Sequence, residues 1–307
     1  ASTYDAKARL AHLDAEGIYG QVLYPNVGGF GSGGFLRLKE PELMLACVRA
    51  YNDFLIEWCS ADANRLIAVA AMPFWDIDAC VKEVERAARI GHRSILACSE
   101  PQAFGMPTLA DRHWSPFWEA CRDVDLPISF HIGAGDLSGL MNDPARMGIR
   151  ASFAKTSSSL FMQNAGCIAD LIFGGVCHRY PELSFVSVES GIGWLPSFLE
   201  TCDWQFSNTQ VRREHPEYDL LPSEYFRRQI YACFWFEERS IGPALELYPD
   251  NLMWETDFPH PTCQHPGPRD GMARHPREFV ESALGGLPEA LVRKVLHDTA
   301  AAVYRVQ

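Results

Sequence analysis

Three stretches of this chain end in a residue able to hold a metal ion or move a proton. Asn251-Leu-Met-Trp-Glu-Thr-Asp-Phe-Pro-His-Pro261 places Asp257 at the close of an apolar run, and the prolines on either side of His260 stop the extended backbone there. Pro127-Ile-Ser-Phe-His131 stops at a histidine before Gly133, and Leu183-Ser-Phe-Val-Ser-Val-Glu189 stops at a glutamate before Gly191. Imidazole and carboxylate are the usual donors for Zn²⁺, Mn²⁺ or Fe²⁺. A single polar strand end is as readily a hydrogen-bonded core residue. Three in one chain argue for a shared site, because unpaired buried charge is costly. His260, three residues past Asp257, binds substrate or holds its own loop.

The elements that position these residues alternate regularly. Apolar runs at Gln21–Tyr24, 66–72, 94–97, 126–131, 183–188, 229–234 and 252–256 read as strands, and each is followed by helical periodicity. Leu66 to Met72 is apolar throughout, as a strand covered on both faces must be. Asp76 and Gly91 bracket one helix, and a long helical stretch from 153 to 178 is expected to break near Gly174-Gly175. Alternation of this kind gives a parallel sheet with helices on its faces. The expected fold class is α/β, a (β/α)8 TIM barrel of the metal-dependent hydrolase type, with chemistry at the carboxyl ends of the strands. A closed barrel takes eight strands and the chain offers seven, so the first is expected to precede Ala1. Residues 1–307 are read as one barrel domain without a linker.

Composition sets limits on partners. The chain is 47% hydrophobic and 21% charged with a formal net charge of -12, which argues against nucleic acid or an anionic membrane surface and leaves a small-molecule substrate. No run is long and apolar enough to cross a bilayer. Ten cysteines are scattered singly with no Cys-x-x-Cys pair, the pattern of reduced structural thiols in the cytoplasm. The loop Gly29-Phe-Gly-Ser-Gly-Gly34 matches G-x-G-x-x-G, but the ribose-binding acid that should close the next strand falls instead on Asp53 and Glu57, within a helix. A rim loop over the site fits it better. Phe30, Trp75, Trp235 and Phe236 are expected to wall an apolar pocket, with Phe30 and Trp75 in contact with substrate.

On Leu23-Tyr-Pro25, Phe130-His-Ile-Gly133, Glu189-Ser-Gly-Ile-Gly-Trp-Leu-Pro196, Trp254-Glu-Thr-Asp-Phe-Pro-His-Pro261 and the closing Ala300-Ala-Ala-Val-Tyr304, the chain resembles the amidohydrolase-related family that includes aminocarboxymuconate semialdehyde decarboxylase. The resemblance implies a divalent metal, zinc first and manganese or iron as the others. It implies His131 and Asp257 as ligands, after the fifth and eighth strands of the family's barrel. Glu189 stands where the better-known decarboxylases carry histidine, and the ligand pair that the family places on its first strand, a His-x-His, Asp-x-His or Glu-x-His, is expected nowhere in these residues. The implied function is a metal-dependent hydrolase or decarboxylase acting on a small carboxylated or cyclic substrate. Asp257 would be the acid–base group and Glu189 would orient substrate or relay a proton, in a homo-oligomer. A dinuclear oxidative enzyme and a non-catalytic partner subunit are the alternatives.

Overall fold

The computed structural model describes residues 1–26, 28–137, 144–266 and 271–306. Its centre is one parallel sheet whose strands lie side by side in chain order: β1 (Gln21–Leu23), β2 (Leu66–Ala71), β3 (Ser94–Leu96), β4 (Ile128–His131), β5 (Phe185–Val188), β6 (Ile230–Phe234) and β7 (Leu252–Trp254). All seven expected strands are present, most of them a residue or two shorter than the apolar runs. Among the described residues no strand joins β1 to β7, so the curled sheet is open along one seam.

Local chemistry sets the element ends. Helix α1 (Ala6–Glu16) starts where Asp5 accepts from the Ala8 N–H at 2.7 Å and stops at Gly17, whose φ of 73° is left-handed. Helices α2 (Pro41–Cys59) and α3 (Ile77–Ile90) follow β1 and β2; α3 is capped by Asp76 and ends at Gly91 with φ 111°. The stretch expected as one long helix is three, Ile149–Ser159, Phe161–Phe173 and Val176–Arg179, with the expected break at Gly174-Gly175 and a further one at Leu160.

Strand alternation decides what faces inward. Ile128 and Phe130 of β4 and Phe185 of β5 join the large outer core against the helices, together with Trp114, Trp118, Leu171 and Phe226. Val186, Val188, Cys233, Met253 and Tyr304 form a small inner core. Ser129 and His131 therefore share the inner face of β4, and the Tyr24 hydroxyl reaches both Ser129 Oγ (3.5 Å) and the Tyr304 hydroxyl (2.6 Å) across that interior. All ten cysteines are free thiols, eight of them buried. No described helix is long and apolar enough to cross a membrane.

The glycine-rich loop owes its composition to packing. Gly34 N–H donates to the Gly28 carbonyl at 2.6 Å, and a Cβ on Gly34 would lie 2.4 Å from that oxygen. The loop runs into a 3₁₀ turn at Gly33–Leu38, not into the α-helix a dinucleotide phosphate would need.

Candidate metal centre

The three strand ends meet. In the register of the sheet His131 pairs with Val188, so β4 and β5 deliver His131 and Glu189 to the same level. His131 Nε2 lies 2.8 Å from Glu189 Oε2, and both side chains are about 95% buried. His260 Nδ1 lies 3.0 Å from Asp257 Oδ2 and 3.5 Å from Glu189 Oε1. One donor atom each from Glu189, Asp257 and His260 falls within 4.8 Å of the others. Thr262 Oγ1 donates to Asp257 Oδ2 at 3.3 Å.

Two observations single this cluster out. Glu189 and Asp257 both hold φ near 57°, the left-handed region that costs non-glycine residues energy and recurs where function over-determines the backbone. The tautomer of His131 is also fixed. Its Nδ1 lies 2.6 Å from the Ile132 carbonyl and must donate to it, which leaves Nε2 aimed at the Glu189 carboxylate. Two lone pairs 2.8 Å apart need a proton or a cation between them.

Electrostatics point the same way. Burial raises the Asp257 carboxyl above its ordinary range, the His260 hydrogen bond pulls it back, and the charge of Glu189 pushes it up again. The Asp257 hydrogen bond raises His260 against the effect of burial. Glu255, which sequence reasoning missed, is the extreme case: burial first, then the charges of Glu189 and Asp257, lift it well above a normal glutamate. Its Oε1 is buried with no hydrogen-bond partner among the described residues, and Glu255 lines the cavity that runs along the seam. Strand alternation could have found it, since 255 and 257 share a face. The donor set, the orphaned oxygen and the excess of carboxylates fit a divalent cation.

The cavity is large, about 950 Å³, and runs along the seam. Gln21, Val22 and Leu23 of β1 line one side, and Met253 and Trp254 of β7 the other, with His131, Glu189, Glu255, Asp257 and His260 at its rim. Phe30 lies flat on His131, ring centroids 3.8 Å apart and planes 8° apart, and lines the cavity as expected. Trp75 is not brought there: it packs on Phe74 (5.6 Å) and the core behind β2, because the chain turns outward after β2. Trp235 is buried with its Nε1 donating to the Thr262 carbonyl, and Phe236 points to solvent. Contrary to expectation one Asp-x-His does occur, Asp111-Arg112-His113, but it forms a 3₁₀ turn in which Asp111 accepts from the His113 N–H at 2.7 Å, a local cap and not a ligand pair.

The sequence model of a family described as Amidohydrolase matches residues 38–306. The chain is 24% identical over 225 residues to a gamma-resorcylate decarboxylase of a Polaromonas species, covering 71% of this chain and 67% of that one. Among solved structures it is similar to an amidohydrolase from Mycobacterium avium subsp. paratuberculosis (TM-score 0.75, 23% identity, 98% of this chain and 74% of that one). It is also similar to a dihydroxybenzoic acid decarboxylase from a Polaromonas species with bound manganese and the inhibitor 2-nitroresorcinol (TM-score 0.70, 19% identity, 97% and 85% covered). A family match spanning nearly the whole chain, on a parallel sheet that brings histidine and acidic side chains to one rim, identifies this protein as a member of the amidohydrolase family.

Proposed function

We propose that this enzyme is a metal-dependent carboxy-lyase that removes the carboxylate of a small hydroxylated aromatic acid. The observation that carries the reading is the carboxylate–histidine cluster gathered at one rim of the parallel sheet. The aromatic-acid decarboxylases among its relatives support the substrate class. His131, Asp257, Glu189 and His260 would hold the cation, zinc or manganese. When bound, such a cation offsets the excess negative charge and draws the substrate's carboxylate and neighbouring hydroxyl to the rim.

The chain's own residues do the rest. Asp257, raised by burial and hydrogen-bonded to His260, is the proton carrier. Its proton goes to the ring carbon that bears the carboxylate; a C–H bond forms, the C–C bond breaks, and the electron pair of that bond returns to the ring as CO₂ leaves. Glu189 orients substrate and His131, and Phe30 shields the imidazole from water. In the hydrolytic reading, which the family description favours, the same Asp257 takes a proton from water instead.

The seam between β1 and β7 is the place of an eighth strand, and the proposal includes one there, completing a single barrel domain and adding ligands. It extends to a homo-oligomer in the cytosol, to be read by light scattering and cell fractionation. The deciding assay incubates the metal-loaded enzyme with 2,6-dihydroxybenzoate and related hydroxybenzoates and measures CO₂. Release that stops on chelation and returns with manganese supports the reading. Hydrolysis of amides or lactones without CO₂ from any acid would replace it.

A further inference from the structure

A second cluster of metal-binding side chains lies on the far side of the Phe258-Pro259 turn. His12 and Glu16 stand four residues apart on α1 and so share one helix face. Glu16, whose side chain is 9% exposed, has Oε1 3.3 Å from His265 Nδ1 and Oε2 2.9 Å from His275 Nδ1. The His12 and His265 rings meet edge-on at 5.1 Å, and one donor atom from each of His12, Glu16 and His265 falls within 4.8 Å of the others.

We propose that His12, Glu16 and His265, with His275 as the fourth ligand, form a structural site for a zinc-class divalent cation, separate from the rim centre. Three imidazoles and one carboxylate are a donor set such ions take in closed four-coordinate sites. The Glu16–His265 separation of 3.3 Å agrees, since ligand atoms about 2.0–2.1 Å from a tetrahedral zinc sit about 3.3 Å apart, and His275 would turn in to join them. Among the described residues His265 Nδ1, which is buried, makes no aligned hydrogen bond even though Glu16 Oε1 is 3.3 Å away. Atoms that close without alignment suit two ligands of one ion better than a donor and its acceptor. As plain ion pairs, the His265 and His275 rings would share one carboxylate and repel each other, with His12 packed beside them. A cation lets all three stay neutral.

The site would clamp α1 to the segment that follows β7. His12 stacks on Phe258 (4.1 Å between centroids, 28° between planes), and Gln21 Nε2 donates to the Phe258 carbonyl at 3.1 Å. The backbone beside Asp257 is thus gripped from the side of the proposed ion.

The test uses the full chain carrying His131→Ala and Asp257→Asn, which disables the rim centre, stripped of metal and titrated with Co²⁺ and then Zn²⁺. Expected are one equivalent that survives gel filtration, the visible bands of four-coordinate cobalt, and their loss on adding zinc. His12→Ala or His265→Ala in that background should weaken cobalt binding on the order of 100-fold. Unchanged binding in both variants, or an equivalent lost on gel filtration, overturns the proposal. X-ray absorption of the zinc-loaded background protein needs no further variant: a shell containing three imidazoles supports the site, and one imidazole or none ends it. Rim activity decides the proposed function separately, because failure here leaves CO₂ release by the unmutated enzyme untouched.

Discussion

Two buried acidic clusters in this molecule are built on opposite plans. Between α2 and α3, Glu83 is fully buried, yet every lone pair it offers is met. Asn52 Nδ2 donates to Oε1 at 2.7 Å, Arg86 donates to both oxygens at 2.7 and 2.9 Å, and Arg49 Nε stands 3.4 Å from Oε2. Asn52 in turn bonds both the N–H and the C=O of Ala71, closing the end of β2. At the rim, three acidic residues, Glu189, Glu255 and Asp257, gather around two histidines, and one oxygen of Glu255 has no hydrogen-bond partner among the described residues. A protein that buries charge for stability neutralises it with its own cations and amides. One that buries charge for chemistry leaves part of the compensation to what it binds.

The contrast can be broken by substitution. The largest effect should come from Asp257→Asn, which removes the proposed proton carrier: CO₂ release should fall about 10³-fold, with the melting temperature of the metal-free protein unchanged or higher. Normal turnover in that variant would take Asp257 out of the mechanism. In the other cluster Glu83→Ala should destabilise the fold by about 3–5 kcal/mol, since it strands the Arg86 guanidinium and the Asn52 amide, while turnover per folded molecule stays the same. Denaturant unfolding beside a kinetic assay separates the two quantities.

His92 sharpens the comparison through pH. It is 2% exposed, its Nε2 donates to the Asn52 carbonyl, and burial lowers its pKa to about 4 against the opposing pull of Glu83. A histidine depressed in the folded state binds its proton more weakly than the unfolded chain does. The stability it supports is therefore present above its ordinary value near 6.5 and lost as pH falls from there towards 4, by about 3 kcal/mol. His92→Leu should flatten that slope, whatever its cost at neutral pH. The smallest effect has the opposite sign. Glu255 is raised, so the folded state keeps a proton that the unfolded chain has released, and the metal-free protein loses stability as pH rises above the ordinary carboxylate range. Glu255→Gln should remove that decline and stabilise the metal-free protein at neutral pH by about 1 kcal/mol. A destabilised Glu255→Gln protein would show that the rim compensates its own charge.

Much of the scaffold was legible because strands covered on both faces are continuous apolar runs, and a polar residue ending such a run stands out. His131, Glu189 and Asp257 were found that way. Glu255 was not, because it was read as part of a strand and the alternation of faces was not applied to it. Trp75 was misplaced for the related reason that an aromatic residue just past a strand can turn to either side. The cluster on α1 showed only its His12–Glu16 half locally: Glu16 and His275 are 259 positions apart, and only the return of the chain after β7 brings them together.

The open seam also matters at the bench. Thr3 and Tyr4 line the same cavity as β1 and β7, and among the described residues the facing edges of those two strands are unpaired. An extended segment from any source, the proposed eighth strand first among them, can pair with such an edge. Assays on tagged and tag-free protein should therefore be compared before either is taken to report the behaviour of the enzyme.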